Sequence, residues 1–284
     1  MSTYIKTSNG LVRRDLYVKA SGANVLRNNI RTFVPIDTGA PAWIGDYQTG
    51  NFLQWYEQHY YRPEQETIVT TPARSGYPYS AQFIVAPGDA IFGETAAERG
   101  DLITTETQSG NPVEGATQWY AWSSFFPTGT YVDTNAESPV GNGWFIFTEW
   151  HHSANYGGAN IMLMLNQGTP VTVRLAVNGQ WLVVDPPDSG SWTVGYANDW
   201  NLGLLPINSW VDFTVKIIWS SDPALGRVTV KMNGTQVIDV VCPTLYAGMS
   251  AYLVQGIYRS NATRTHTIYH TGTRRGTTEA SVRL

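Results

Sequence analysis

Two-residue alternation of apolar and polar side chains constrains this chain more than any other feature. In residues 211–219 every second residue is apolar, and Asp212, Thr214 and Lys216 stand between them. A strand with this period turns one face to a core and the other to water. No segment shows a convincing helical period, although residues 51–60 are compatible with a short helix. The pattern therefore predicts an antiparallel β fold with almost no helix.

Short alternating segments follow one another from about residue 42, with turn residues at fairly regular spacing between them. Asn-Gly is the strongest two-residue hairpin signal, because both positions of the turn tolerate positive φ. The two predicted hairpins are residues 171–184 around Asn178-Gly179 and residues 228–241 around Asn233-Gly234. Many short strands at this spacing are typical of a sandwich or a barrel.

The composition suits a β-sandwich with a surface that faces carbohydrate. The chain has 284 residues, with 42% apolar, 13% aromatic and 14% charged residues, and the charged fraction is low beside the roughly 25% of ordinary domains. Its surface must therefore be built from hydroxyl, amide and aromatic side chains. The net charge of −4, without a basic run, argues against nucleic acid as a partner.

Several other classes of protein are disfavoured by the sequence. No apolar stretch approaches the roughly 18 residues of a membrane span, and the N-terminus lacks the pattern of a secretory signal. We therefore expect synthesis in the cytoplasm without a signal peptide. Cys242 is the single cysteine and is expected to be a small buried residue. No metal-binding or phosphate-binding motif is present, so we predict no metal and no cofactor.

Residues 1–34 form a distinct segment with an internal repeat. Tyr4-Ile-Lys-Thr-Ser recurs as Tyr17-Val-Lys-Ala-Ser, and each copy has the pattern of a short hairpin. Because a single hairpin is marginal in water, these hairpins need a partner surface. We predict a docking arm in residues 1–34 and one sandwich domain in residues 35–284. The alternative is a two-hairpin extension that packs on its own domain.

The strand at residues 252–259 places Tyr252, Val254, Gly256 and Tyr258 on one face. Glycine weakens a strand, so its presence suggests that something approaches this backbone closely. The alternative is a glycine kink flanked by core tyrosines. The run resembles the Tyr-Phe-Lys-x-Gly-x-Tyr strand of jelly-roll polysaccharide lyases, which include alginate, glucuronan and heparin lyases. Val254 stands at the lysine position.

Further short motifs extend this resemblance, in the family's order, from about Gly45 to Gly276. It implies a two-sheet antiparallel jelly-roll sandwich of the concanavalin type, with a groove across one sheet. These lyases remove the proton at carbon 5 of a uronate and expel the oxygen at carbon 4. The reaction requires a neutralised carboxylate, a base and an acid. The resemblance implies that Tyr258 and His151 act on the substrate and that Arg99 holds its carboxylate.

Glu149 stands where active lyases carry a neutralising glutamine, so it is included among the candidate catalytic residues. A protonated Glu149 would donate a hydrogen bond as glutamine does, provided that its pKa lies above the working pH. In the alternative interpretation, Arg99 pairs with a neighbouring acid and His151 is an ordinary sheet histidine. The predicted substrate-binding residues are Tyr252, Tyr120, Trp122, Gln255 and Arg259, with the aromatic rings as a stacking platform.

The repeated leader resembles the N-terminal segments of minor tail proteins from phages of actinobacteria. This resemblance implies a virion protein that contacts other tail proteins through residues 1–34 and recognises polysaccharide of the host envelope. Cleavage of a uronate-containing glycan by β-elimination is the predicted activity. The alternatives are a catalytically inactive carbohydrate-binding module and a purely structural virion protein. Self-association into a homo-oligomer is left open.

Overall fold

The computed structural model describes residues 2–7, 10–15, 39–128, 143–154, 157–166, 170–184 and 192–284. The chain divides into two units, Met1–Ile36 and Asp37–Leu284. The first unit contains an antiparallel hairpin of β1 (Ser2–Thr7) and β2 (Gly10–Asp15). The second hairpin predicted for the N-terminal segment lies outside the described residues.

The second unit is built almost entirely of strands. In chain order they are β3 (Trp43–Gly45), β4 (Glu57–His59), β5 (Glu66–Val69), β6 (Ser80–Val85), β7 (Ala97–Ile103), β8 (Thr117–Phe125), β9 (Phe145–His152), β10 (Ile161–Asn166), β11 (Thr172–Val184), β12 (Trp192–Leu204), β13 (Trp210–Ile218), β14 (Arg227–Met232), β15 (Thr235–Val241), β16 (Ala251–Ser260) and β17 (His266–Gly276). The helices of the described residues are two 3₁₀ turns, Pro63–Gln65 and Ala280–Val282. Residues 51–60, which the sequence left open to a helix, form turns that lead into β4.

Two antiparallel sheets carry these strands. Within the described residues, sheet I has the order β12-β11-β10-β9-β16-β7-β4. Sheet II has the order β15-β14-β13-β8-β17-β6-β5, and β3 also pairs with β17. The inner faces of the two sheets enclose one large apolar cluster that includes Trp122, Trp150 and Phe213. The predicted antiparallel two-sheet sandwich is therefore confirmed.

Alternation in β13 produces the burial that the sequence predicted. Val211, Phe213, Val215 and Ile217 are fully buried, and the polar residues between them are half-buried on the other face. Complete burial of such a side chain contributes about 1.5–3 kcal/mol. This strand therefore fixes its own orientation in sheet II.

The two predicted Asn-Gly hairpins have different outcomes. Asn233 and Gly234 have φ of 49° and 77° and join β14 to β15, so this hairpin is confirmed. The turn predicted at Asn178-Gly179 is wrong, because β11 runs straight through it. Asn178 Nδ2 donates to the carbonyl of Ala159 at 2.9 Å, and a Cβ on Gly179 would lie 2.8 Å from the Pro243 carbonyl oxygen. This glycine permits a close approach between segments instead of a reversal.

Gly256 marks the place where β16 meets β7 most closely. Its φ is 152°, and an added Cβ would collide with the carbonyl of Gly100 and lie 2.6 Å from the Cα of Asp101. The predicted close approach at this glycine is confirmed, and the approaching group is the backbone of β7. The pairing of β16 with β9 is irregular between Gln255 and Tyr258, consistent with a bulge.

Candidate active site

Four predicted catalytic side chains lie on three neighbouring strands of sheet I. Arg99 belongs to β7, Tyr258 to β16, and Glu149 and His151 to β9. Tyr258 is opposite Arg99, Val254 is opposite Glu149, and Tyr252 is opposite His151. These positions belong to the face of sheet I that points away from the core, which we call the outer face. The structure therefore places residues that are far apart in the sequence on one face of sheet I.

Tyr258 lies between a guanidinium and an indole. The Cζ atom of Arg99 is 3.6 Å from the centroid of the Tyr258 ring, and the Trp144 ring meets it edge-on with centroids 4.6 Å apart. Burial raises the pKa of Tyr258 to about 12, although Arg99 opposes this change. The phenol therefore keeps its proton at neutral pH and can donate a hydrogen bond.

Three carboxyl groups surround Arg99. Glu94 Oε1 is 3.5 Å from Arg99 Nη2, and Asp101 Oδ2 is 3.8 Å from Arg99 Nε. Both distances exceed the 2.7–2.9 Å of a strong charged hydrogen bond. Glu94, Asp101 and Glu149 each have one buried oxygen without a hydrogen-bond partner among the described residues. Because buried polar atoms are normally paired, these carboxyl groups lack hydrogen-bond donors that such atoms usually have.

Glu149 has the electrostatic character required of a glutamine substitute. It is 3% exposed, and its pKa is raised to about 8, chiefly by burial. The charge of Arg99 acts to lower this pKa, and the charges of Asp101 and Glu94 act to raise it. At neutral pH the side chain is therefore mostly protonated and can donate a hydrogen bond.

His151 lies beside Tyr252 at the end of β9, with ring centroids 5.6 Å apart. Its Nδ1 is 3.0 Å from the carbonyl oxygen of His152. Since a carbonyl only accepts, Nδ1 carries the proton, and Nε2 of the neutral ring is an acceptor. Burial lowers the pKa of His151, which favours this neutral form. Although neighbouring strand residues normally diverge, the two imidazoles stack with centroids 4.4 Å apart.

An apolar floor continues from Tyr258 across β9, β10 and β11. It consists of Ile146, Met164 and Ala176, with Trp144, Met162 and Tyr258 packed against them. Strands in a sheet are about 4.8 Å apart, so the outer face from β11 to β4 spans roughly 24 Å.

Two residues at the site had no signal in the sequence. His59 lies on the three-residue edge strand β4, and its Nδ1 is 3.1 Å from Asp101 Oδ1. Glu94 lies in the loop between β6 and β7, and its carboxylate turns back toward Arg99. Both positions follow from tertiary structure, because neither residue belongs to a motif.

The predicted aromatic platform of Tyr120 and Trp122 is wrong. Both residues belong to β8 in sheet II, and they are 1% and 0% exposed. The Tyr120 hydroxyl donates to the carbonyl of Ser109, and the Trp122 ring stacks on Phe213 with centroids 5.3 Å apart. The alternation of β8 points both rings into the core, where a glycan has no access.

The predicted substrate contacts of Gln255 and Arg259 are also wrong. Both side chains lie on the core side of β16 and are at most 1% exposed. Gln255 Oε1 accepts hydrogen bonds from Tyr47 at 2.9 Å and Thr273 at 2.7 Å, whereas Arg259 pairs with Glu98. Both side chains therefore stabilise the fold, and neither is exposed to a substrate. Tyr252 is half-buried beside His151, and its role as a substrate contact stays a prediction.

Comparison with known proteins identifies the family. A sequence profile of polysaccharide lyases matches residues 47–274. The chain belongs to the polysaccharide lyase family. No curated protein matches its sequence at a significant level.

Solved lyase structures share the fold of this family member. Endo-β-1,4-glucuronan lyase from the fungus Trichoderma reesei is 15% identical, with 86% of this chain and 98% of that chain covered and a TM-score of 0.62. Alginate lyase vAL-1 from Chlorella virus is 10% identical, with 84% and 100% covered and a TM-score of 0.53. A variant of alginate lyase Aly36B in complex with alginate trisaccharide is 10% identical, with 84% and 99% covered and a TM-score of 0.53. These similarities confirm the lyase-like jelly roll.

The described part of this lyase-family chain contains no group of three or more His, Cys, Asp or Glu side chains arranged to hold a metal ion. Among the same residues, no helix has the length and apolar character needed to cross a membrane.

Proposed function

We propose that this chain binds a uronate-containing polysaccharide on the outer face of sheet I and cleaves it by β-elimination. The observation that supports this proposal is the shared face of Arg99, Glu149, His151 and Tyr258 on adjacent strands of a lyase fold. Each group has a protonation state that suits one requirement of the reaction.

The proposed roles follow from charge and hydrogen bonding. Arg99 and protonated Glu149 bind the substrate carboxylate and stabilise negative charge that develops at carbon 5. His151 Nε2 accepts the proton from carbon 5, and the bond from carbon 4 to the glycosidic oxygen breaks as a carbon–carbon double bond forms. Tyr258 donates its proton to the departing oxygen. One new reducing end and one unsaturated uronate are produced.

The ultraviolet absorbance of the unsaturated product tests this reaction with glucuronan and alginate as substrates. We expect product with the native protein and a loss of at least about a hundredfold in Tyr258→Phe, because general acid catalysis typically contributes that much or more. Tyr269→Phe is the matched control, since Tyr269 lies on sheet II and its hydroxyl accepts a hydrogen bond from Gln82. No product from any uronate polymer would contradict the proposed elimination.

Glycan binding without turnover is the second candidate. It is favoured by the existing contacts of Arg99 with Glu94 and Asp101, which compete with a substrate carboxylate. Retention of the protein by immobilised uronate polymers without any unsaturated product would support this candidate.

We also propose that the chain acts in a phage tail, with residues 1–34 docking on other tail proteins and the glycan belonging to the host envelope. Support comes from the repeated Tyr-Ile/Val-Lys-x-Ser sequence and the hairpin of the N-terminal unit. Deletion of residues 2–34 should abolish incorporation into virions and leave glycan binding intact. Incorporation of the truncated chain at the native level would contradict the docking role.

A further inference from the structure

Glu94 brings a carboxylate of the chain itself to the proposed substrate-binding arginine. Its Oε1 lies 3.5 Å from Arg99 Nη2, and its other oxygen is buried without a hydrogen-bond partner in the described residues. Burial raises the pKa of Glu94, while the charge of Arg99 opposes this change. The carboxylate therefore faces the same guanidinium that the proposed function assigns to the substrate.

The loop that carries Glu94 is held in place at both its base and its tip. Asp89 accepts hydrogen bonds from Arg62 at 3.2 Å and 2.8 Å, and its Oδ2 accepts one from the Ala86 amide at 2.7 Å. Phe92 at the tip meets the His59 ring edge-on, with centroids 5.0 Å apart. These contacts of the loop therefore hold Glu94 close to Arg99.

The contact between Glu94 and Arg99 is nevertheless a weak one. The distance of 3.5 Å is long for an ion pair, and the two side chains are 25% and 15% exposed. Partly exposed pairs of this kind contribute little net free energy, because solvent screens the attraction. A ligand carboxylate with better geometry could replace Glu94 without disrupting the sheet.

We propose that Glu94 is a specificity-determining residue that competes with the substrate carboxylate for Arg99. The proposal rests on the proposed function, because it assumes that Arg99 receives a uronate. Glu94 lowers the affinity of this position for an anionic sugar and leaves its affinity for a neutral sugar unchanged. Removal of Glu94 therefore increases the preference of the outer face for anionic over neutral sugars.

Calorimetric titration with a glucuronate oligosaccharide tests this competition in the full-length protein. We expect Glu94→Gln to lower the Kd and the KM by about fivefold, the size expected from loss of a partly exposed competing pair. The kcat should change less than about twofold, since the reacting groups are intact. A neutral β-1,4-glucan oligosaccharide should show no change.

Glu57→Gln is the matched control for the loss of one negative charge from this region. Glu57 lies on β4, its side chain is 52% exposed, and its ionic contact is His59 at 3.7 Å. We expect this variant to bind glucuronate oligosaccharide like the native protein. If both Glu94→Gln and Glu57→Gln lower the Kd equally, general electrostatics explains the effect and the competition model fails.

Two further results separate this inference from the proposed function. In a background of Arg99→Ala, the Glu94→Gln change should give no gain, because the shared partner has been removed. Native binding with an unchanged Kd in Glu94→Gln overturns the inference and leaves the proposed function standing. Absence of uronate binding in both proteins overturns both. Weaker binding together with a lower Tm would make Glu94 a structural support, which also contradicts the inference.

Discussion

Two arginine–glutamate pairs lie on opposite faces of sheet I, and they differ in distance, exposure and hydrogen bonding. Arg259 is opposite Glu98 and Tyr258 is opposite Arg99, so successive register positions alternate between the two faces of sheet I. The inner pair, Arg259–Glu98, is 2.7 Å apart, and its side chains are 1% and 4% exposed. The outer pair, Arg99–Glu94, is 3.5 Å apart, with side chains 15% and 25% exposed.

The inner pair is tied to the surrounding backbone. Arg259 Nη1 donates to the carbonyl of Arg264 at 2.7 Å and contacts His266 Nδ1. Glu98 Oε1 accepts a hydrogen bond from the Gly88 amide at 2.6 Å. Burial and the adjacent charge of Arg259 lower the pKa of His266 to about 3, so this ring is neutral. The inner pair therefore joins two loops to the sheet.

The difference separates charges used for folding from charges available for binding. A desolvated pair with short bonds cannot give up a partner without a large cost. The outer pair has a long contact and is partly exposed, so an incoming carboxylate can exchange with Glu94 at lower cost. The same two strands thus support both the fold and the site.

Loss of the inner arginine should have the largest effect on stability. Arg259→Met leaves Glu98 buried without its counter-charge and should lower the free energy of unfolding by about 3–5 kcal/mol. Urea denaturation measures this change. A loss below about 1 kcal/mol would contradict the structural role of the inner pair.

A substitution at Gly256 tests whether both faces of sheet I depend on the close pairing of β16 with β7. In Gly256→Ala the added Cβ would collide with the backbone of β7, and the φ of 152° is unfavourable for alanine. We expect a loss of about 2–4 kcal/mol by urea denaturation. Val254→Ala, on the same strand, should cost less because it creates no collision. The reverse order would contradict the assigned role of Gly256.

Glu149 makes stability depend on pH in a defined direction. Burial raises its pKa in the folded chain to about 8, so the native state retains a proton that the unfolded chain has lost above about pH 4.5. Native stability therefore falls as pH rises through this window. Glu149→Gln removes the effect, and its stability relative to the native protein should increase by up to about 1 kcal/mol per pH unit.

Urea denaturation of both proteins across this pH range measures the difference. Glu66, whose pKa burial raises to about 9, is present in both proteins and cancels. A constant difference between the two proteins would show that Glu149 is ionised throughout. We also expect elimination by the native protein to decline above about pH 8 and elimination by Glu149→Gln to persist.

The outer arginine should show the smallest effect on stability. Arg99→Met should lower the free energy of unfolding by about 1–2 kcal/mol, because its contacts with Glu94 and Asp101 are long and Glu94 is partly exposed. Its binding of uronate oligosaccharide should be abolished. Equal stability losses in Arg99→Met and Arg259→Met would eliminate the distinction between the two pairs.

The sequence predicted features that depend on local order. Alternation identified β13, and the spacing of Tyr252, Gly256 and Tyr258 identified the central strand with its close backbone approach. The turn signal at Asn233-Gly234 was correct because both residues adopt the positive φ that the hairpin needs. These features are determined by neighbouring residues in the chain.

Features that depend on tertiary contacts were not predictable in the same way. Alternation in β8 could not show which face meets the core, so Trp122 was assigned to the surface. The Asn178 side chain donates a hydrogen bond to the carbonyl of Ala159, and this contact overrides the preference of Asn-Gly for a turn. Glu94 and His59 reach the site only through a loop and an edge strand. The resemblance to lyases located Arg99 and Glu149, but it gave no indication of the other acidic groups around Arg99.

A crystal structure of the Tyr258→Phe variant with a glucuronate oligosaccharide would show where the substrate carboxylate binds. We expect a sugar chain along the outer face of sheet I, with one carboxylate within hydrogen-bond distance of both Arg99 and Glu149 and with Glu94 displaced. A sugar bound elsewhere, or a carboxylate that avoids Arg99, would contradict this expectation.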